Sequence, residues 1–401
     1  MSRLITLFYW ISYFLLTIPS ALILIFILIL RPLLKIKVTP IMTHRFGHLC
    51  LNPAIYIFQK KERSLDLFFP HRLGICNKII YKFWKKKIQI FPHLILKPLY
   101  DLIKILKLEK NFSCSDFPYN DRDINYLIQK NKKLSILSQL EKNECIKVLQ
   151  KKNLFDRKII CLFVRDDNYL RKYGKKSWYY LSHKNVDLNL FKPSINFLIK
   201  KGYTVFRMGA ERGKKIKINS KFYFDYANSD IRSELMDIFL SDACYFCIQT
   251  GTGGAAAAQI LKKPILEINT PAHQMMTYLK NSVLLTKHLY SIKKRKYLSL
   301  KELMNYDPYS VIKRTSLDKL GIKVVENSST EILETVKEIE KRTSNLWKIS
   351  NVEKKLKIRF SSMFNLNMKN LKENANIRFH GKKIKANMSL YFMKKNKYWL
   401  N

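Results

Sequence analysis

The stretch QTGTGGAAAAQILKKP, Gln249 to Pro264, places three of the chain's 11 glycines within four positions, ahead of four alanines. Glycine turns let backbone N–H groups approach an anion, and a following helix would point its N-terminal donors the same way. Gly251, Gly253 and Gly254, with the hydroxyls of Thr250 and Thr252, therefore suit a diphosphate. The pattern is neither G-x-G-x-x-G nor a P-loop, which needs Lys-Ser/Thr after the last glycine. A tight turn into a buried helix accounts for the same residues, and both readings stay open.

Two arginines stand at the ends of apolar runs before this turn. Arg165 closes IICLFVRD, and Arg207 lies one unit later in YTVFRMG, followed by Gly209. Guanidinium groups at such positions can grip phosphate bidentately and offset charge on a leaving nucleotide without a metal. No Asp-x-Asp pair that would hold a divalent cation is present, so no metal site is expected. The block DYANSDIRSELMDIFL offers Asp225, Ser229 and Arg232 as further donor-side residues. It also reads as a helix capped by Asp230 with Leu235, Ile238 and Phe239 facing a core. Nearer the N-terminus, THRFGHL supplies Arg45, Gly47 and His48, and Asn52 follows. His48 or His44 could remove a proton from a hydroxyl, with Asp166 and Asp167 as rivals.

These residues need a scaffold that brings strand ends together. After residue 38, strand-like and helix-like stretches alternate in PIMTHRFGHL, CLNPAIYIFQKK, LDLFFP, CNKIIYKFWKKK and IQIFP. That order predicts a parallel sheet. KIICLFVRDD, KPSINFLIKKG, YTVFRMG, CYFCIQTGTGG and PILEIN predict a second. The expected fold is α/β, with two Rossmann-like domains in the arrangement called GT-B, over 38–150 and 151–330. In open sheets of this type ligands sit at the carboxyl ends of the strands, where the residues above fall. Residues 331–401 form a basic helical extension, with 16 Lys/Arg against two acidic residues from 341 onward.

Leu4 to Leu30 carries no charge and is long enough to cross a bilayer, so residues 1–37 read as a transmembrane anchor. Arg31, Lys35, Lys37 and Arg45 follow it, which by the positive-inside rule puts the body in the cytoplasm, at the inner membrane. A helix lying on the membrane face is the alternative. The net charge of +44 is spread along the chain, without a nucleic-acid recognition motif. Such a surface favours anionic membranes and substrates. Seven scattered cysteines imply reduced thiols. Cys244 and Cys247 form a C-x-x-C with no second pair for zinc.

HRFGHLCLNPAIYI, CLFVRDDNYL, GYTVFRMG, DYANSDIRSELMDIFL, IQTGTGGAA and KPILEIN, in this order over residues 41–270, resemble a bacterial family of glycosyltransferases of surface-polysaccharide loci. The closing SLYFMKKNKYWL fits the same family. The V-R-D strand is also similar to the H-x-R strand of fucosyltransferase-like GT-B enzymes, with Phe163 in place of the histidine. That resemblance implies that Arg165 binds the diphosphate of a nucleotide-sugar. The expected activity is sugar transfer from a nucleotide-diphosphate donor to a lipid-linked or saccharide acceptor, as in lipopolysaccharide synthesis. It is expected to be inverting, metal-independent and without a cofactor. Arg165, Arg207, Gly209, Asp225, Ser229, Arg232 and Thr250 to Gly254 would hold the donor, with Arg45, Gly47 and Asn52 at the acceptor and His48 or Asp166 as catalytic base. A non-catalytic GT-B-like membrane assembly protein and a polysaccharide pyruvyl transferase are the alternatives.

Overall fold

The computed structural model describes residues 3–61, 63–114, 123, 125–165, 179–209, 215–270, 279, 281–306, 314–370 and 387–401. The chain forms two compact units, Met1–Asp121 and Arg122–Asn401. Each is α/β with a parallel sheet, and an apolar helix precedes the first sheet.

The first unit opens with α1 (Arg3–Leu30), then β1 (Ile36–Ile41), α2 (Phe46–Gln59), β2 (Leu65–Pro70), α3 (Lys78–Lys85), β3 (Gln89–Ile90) and α4 (His93–Ile105). The strands lie in the order β1-β2-β3, all parallel. α3 begins where the Asn77 side chain accepts from the Ile80 N–H at 2.9 Å. Leu24 and Ile27 of α1 enter the unit's core beside Val38, Phe69, Leu99 and Ile103.

The main sheet of the second unit holds β4 (Lys158–Phe163), β5 (Tyr203–Met208), β6 (Tyr223–Phe224), β7 (Phe246–Gln249), β8 (Ile265–Ile268) and β9 (Val283–Leu285). A separate antiparallel trio comprises β10 (His288–Ser291), β11 (Lys296–Tyr297) and β12 (Ile322–Val325). The last strand, β13 (Asn387–Met388), returns to the main sheet beside β9. The order is β13-β9-β8-β7-β4-β5-β6 with every pairing parallel. Counted along the chain, the six strands from β4 to β9 run 3-2-1-4-5-6, the doubly wound Rossmann order. Direction reverses between β4 and β7, and such a switch point is where these sheets bind ligands. Burial on both faces explains why β4, β7 and β8 are near-continuous apolar runs.

One local expectation changes. The helix after DYANSD spans Glu234–Ala243, and its cap is Ser233, whose side chain accepts from the Met236 N–H. Asp230 instead pairs with Lys152 at 3.0 Å. The basic C-terminal stretch packs back on the second unit. Met388, Leu390, Phe392, Met393, Trp399 and Leu400 are buried in the core of the second unit.

Candidate functional site

The switch point of the second unit is closed by side chains. Phe163, the last residue of β4, accepts from the Thr250 N–H at 3.1 Å, and the Thr250 hydroxyl oxygen accepts from the Arg165 N–H at 2.7 Å. The strand ends carrying Arg165 and the glycine turn are thereby locked together. Thr252 acts within the turn, its hydroxyl accepting from the Gly254 N–H at 2.8 Å. Gly251 takes a left-handed φ of 58°, and a Cβ on it would lie 3.1 Å from the Thr270 hydroxyl. At Gly254 a Cβ would strike the Phe163 ring at 2.5 Å, so this glycine is fixed by packing. Three of the four alanines are buried in a helix of only five residues, Ala256–Ile260, which Ala255 precedes as N-cap. A helix so short adds little dipole to the turn.

The positive charge comes from elsewhere. Lys287, two residues beyond β9, is 3% exposed. Its ammonium donates to the His183 carbonyl at 2.7 Å, and its acidic partner Glu326 stands 3.8 Å away. Burial lowers its pKa from 10.5 to about 8, with Glu326 opposing and Arg314 adding to the fall. His183 is buried, and neither ring nitrogen has a hydrogen-bond partner among the described residues. Burial, then Lys184, Lys287, Arg165 and Arg314, push its pKa down to about 3, so the ring is neutral at physiological pH. Asn269, just past β8, is 2% exposed with a left-handed φ of 61°. Neither polar atom of its side chain is hydrogen-bonded among the described residues, and the same holds for the Thr270 hydroxyl. Cations and unsatisfied polar groups thus line the carboxyl ends of β4, β7, β8 and β9. Buried polar groups rarely go without partners, and the donors of this set, the Asn269 amide, the Thr270 hydroxyl and one His183 N–H, suit the oxygens of an anion.

Arg207 lies inside β5 at 3% exposure, 3.7 Å from the Asp225 carboxylate. Arg165 is grouped with His183, whereas Arg207 acts on Asp225 and Tyr223. The Arg232 Nε donates to the Gly209 carbonyl at 3.1 Å, and the Ser229 hydroxyl donates to the Tyr226 carbonyl at 2.8 Å. These residues shape the loops after β5 and β6. Asp166 and Asp167 lie outside the described residues. Among the described residues no group of three or more His, Cys, Asp or Glu could hold a metal ion. Cys244 and Cys247 are buried free thiols at β7.

In the first unit, histidines gather at the carboxyl ends of the strands. Arg45 is the N-cap of α2, with Gly47 in its first turn. His48 is in the same turn, and its Nδ1 lies 3.1 Å from Oδ1 of Asn52, one turn further along the helix. His44 packs on His71 with ring centroids 4.1 Å apart. Burial, then His71, Arg45 and His48, lower the His44 pKa to about 4, so it too is neutral near pH 7. His93 Nδ1 donates to the Pro70 carbonyl at 2.8 Å.

The sequence reading missed Lys287, His183, Asn269 and Thr270. The first has one visible sign, a lysine directly after the apolar run VLLT. His183 sits in a 3-10 turn, YYLSHK, that resembles any polar loop.

No protein-family model matches the chain, and no curated protein matches it by sequence. Solved structures resemble it remotely. A family 9 glycosyl transferase from Veillonella parvula is 11% identical with a TM-score of 0.39, over 63% of this chain and 86% of that one. The ADP-heptose LPS heptosyltransferase II of E. coli is 13% identical with a TM-score of 0.35, over 72% and 98%. The iron-containing glycosyltransferase TibC of enterotoxigenic E. coli is 12% identical with a TM-score of 0.31, over 59% of each. Likenesses of this extent assign neither activity nor substrate.

Proposed function

We propose that this protein is a membrane-associated GT-B glycosyltransferase that uses a nucleotide-diphosphate sugar. The observation that carries the reading is the group of half-buried Arg165, buried Lys287 and buried, neutral His183 at the carboxyl ends of the main sheet, with Asn269 and Thr270 unsatisfied beside it among the described residues. A diphosphate supplies both the negative charge and the acceptor oxygens this group needs. In the proposed reaction Arg165 and Lys287 stabilise charge as the nucleoside diphosphate leaves. His48, held beside Asn52, takes the acceptor hydroxyl's proton. Direct attack of that hydroxyl inverts the sugar carbon and leaves the metal role to cationic side chains. The acceptor is a lipid-linked or saccharide chain of a cell-surface polysaccharide, met at the cytoplasmic face of the inner membrane.

The test is a panel of nucleotide-sugars assayed for nucleotide release in EDTA, with binding of UDP, GDP and ADP measured by calorimetry. One nucleoside diphosphate should bind, Arg165→Ala should weaken it at least about tenfold, as loss of a charged phosphate contact would, and turnover should survive EDTA. A protein that binds none of the three overturns the reading. Loss of turnover in EDTA removes its metal-independent part.

A further inference from the structure

Residues Leu4–Leu30 are long and apolar enough to cross a bilayer. Yet α1 is held along its length by the unit it precedes. Residues at helical spacing form one shielded stripe, among them Tyr9, Tyr13, Thr17, Ser20, Leu24 and Ile27. Near its start the Tyr9 hydroxyl lies 3.1 Å from His93 Nε2, and the Arg72 guanidinium sits 4.6 Å from the Tyr9 ring centre. One turn on, the Tyr13 hydroxyl donates to Asp101 at 2.6 Å. Near its end Leu24 and Ile27 are in the core with Leu99 and Ile103, and Arg31 stands 4.9 Å from the centre of the Phe112 ring. Thr6, Tyr9, Tyr13, Thr17 and Ser20 fall on this stripe, whereas the outer face, including Phe8, Phe14, Leu15, Leu22 and Phe26, is exposed and apolar.

Tyr9 and Ile27 are about 27 Å apart at 1.5 Å per residue, nearly the thickness of a hydrocarbon core. A crossing α1 would therefore draw α4, with Lys97 paired to Asp101, into the acyl chains. Charged groups there are expensive. We propose that α1 lies in the plane of the membrane surface, its outer face among the acyl chains and its inner stripe on the first unit. The partner is an anionic bilayer entered from one side. The end of α4 adds exposed Ile105 and Leu106, flanked in sequence by exposed Lys104 and Lys107. At the other end Trp10 is exposed beside Arg72, the aromatic and basic pairing of a membrane interface. This docking does not depend on the proposed sugar transfer.

Deleting α1 would remove core residues, so the test keeps the full chain. Phe8→Cys, Leu15→Cys, Leu22→Cys and Phe26→Cys share one helix face at about 100° per residue. Each carries a nitroxide, with the signal of unsubstituted protein subtracted, and protein is bound to phosphatidylglycerol–phosphatidylcholine vesicles. Oxygen and nickel-chelate accessibility should place all four labels at one common, shallow depth. Binding should weaken in pure phosphatidylcholine and in high salt. A depth profile deepest at Leu15 and Leu22 and shallow at the other two would mean a crossing helix and overturn the proposal. Failure to bind vesicles overturns it as well, and equal binding to both lipids overturns the anionic preference.

Discussion

At the scale of single residues, the second unit keeps a lysine charged in a place that disfavours charge. Burial lowers the Lys287 pKa to about 8, and Arg314 adds repulsion, while Glu326 holds it up from 3.8 Å. Below pH 8 the ammonium is present for the proposed diphosphate. Above it the site must first take up a proton, and binding weakens by up to about tenfold per pH unit when only the charged form binds. Calorimetry with the bound nucleoside diphosphate from pH 7 to 9.5 should therefore show affinity falling above pH 8. Lys287→Met should bind weakly and lose that slope; an affinity in the parent protein that is flat over the range contradicts the assignment. Arg165 was legible in the sequence because a charged residue ends a run of apolar ones. Lys287 and His183 were not, because they meet across 104 positions of chain, and neither has a local pattern that announces the other.

At the scale of elements, β4 and the glycine turn are one device. The Thr250 hydroxyl and the Phe163 carbonyl tie the two strand ends, and the Phe163 ring fills the space where a Gly254 side chain would stand. The sequence shows the glycines but leaves their cause open, since a phosphate and an aromatic ring both require an absent side chain. The structure resolves Gly254 in favour of the ring. Gly254→Ala should accordingly cost about 1–3 kcal/mol, the usual penalty for overpacking, read as a lowered urea midpoint with unchanged slope. Adding Phe163→Leu should recover part of it by making room. If Gly254→Ala unfolds like the parent, the ring contact does not constrain the turn. The alternation of apolar runs and helical stretches made both parallel sheets readable. It could not show β13, a two-residue strand whose partner β9 lies about a hundred positions earlier.

At the scale of the whole molecule, net charge and core pull the C-terminal stretch in opposite directions. Its lysines suggest a surface tail, but its apolar residues complete the second unit. Leu390 receives a cap from the Glu338 carboxylate at 2.8 Å, and the Ser389 hydroxyl meets that of Thr335 at 2.8 Å. His288 joins the same seam, bonded to the Tyr398 hydroxyl at 2.7 Å and to Glu331 at 3.0 Å. Ending the chain at residue 386 would remove six buried apolar side chains, each worth about 1.5–3 kcal/mol. It would also leave His288, Glu331 and Glu338 short of partners in an apolar setting. Domain stability is usually about 5–15 kcal/mol, so the loss is as large as the whole margin. The truncated protein should fail to reach a cooperatively folded state, as judged by proteolysis and thermal unfolding in detergent. A control with Lys394 and Lys395 both changed to Gln removes charge from the same segment and keeps its core residues. It should stay cooperatively folded and melt close to the parent, since the six core side chains remain and Glu353, the buried partner of exposed Lys394, keeps its bond from the Ser350 N–H. A truncated chain that still unfolds cooperatively near the parent temperature would show that the second unit closes its core without these residues.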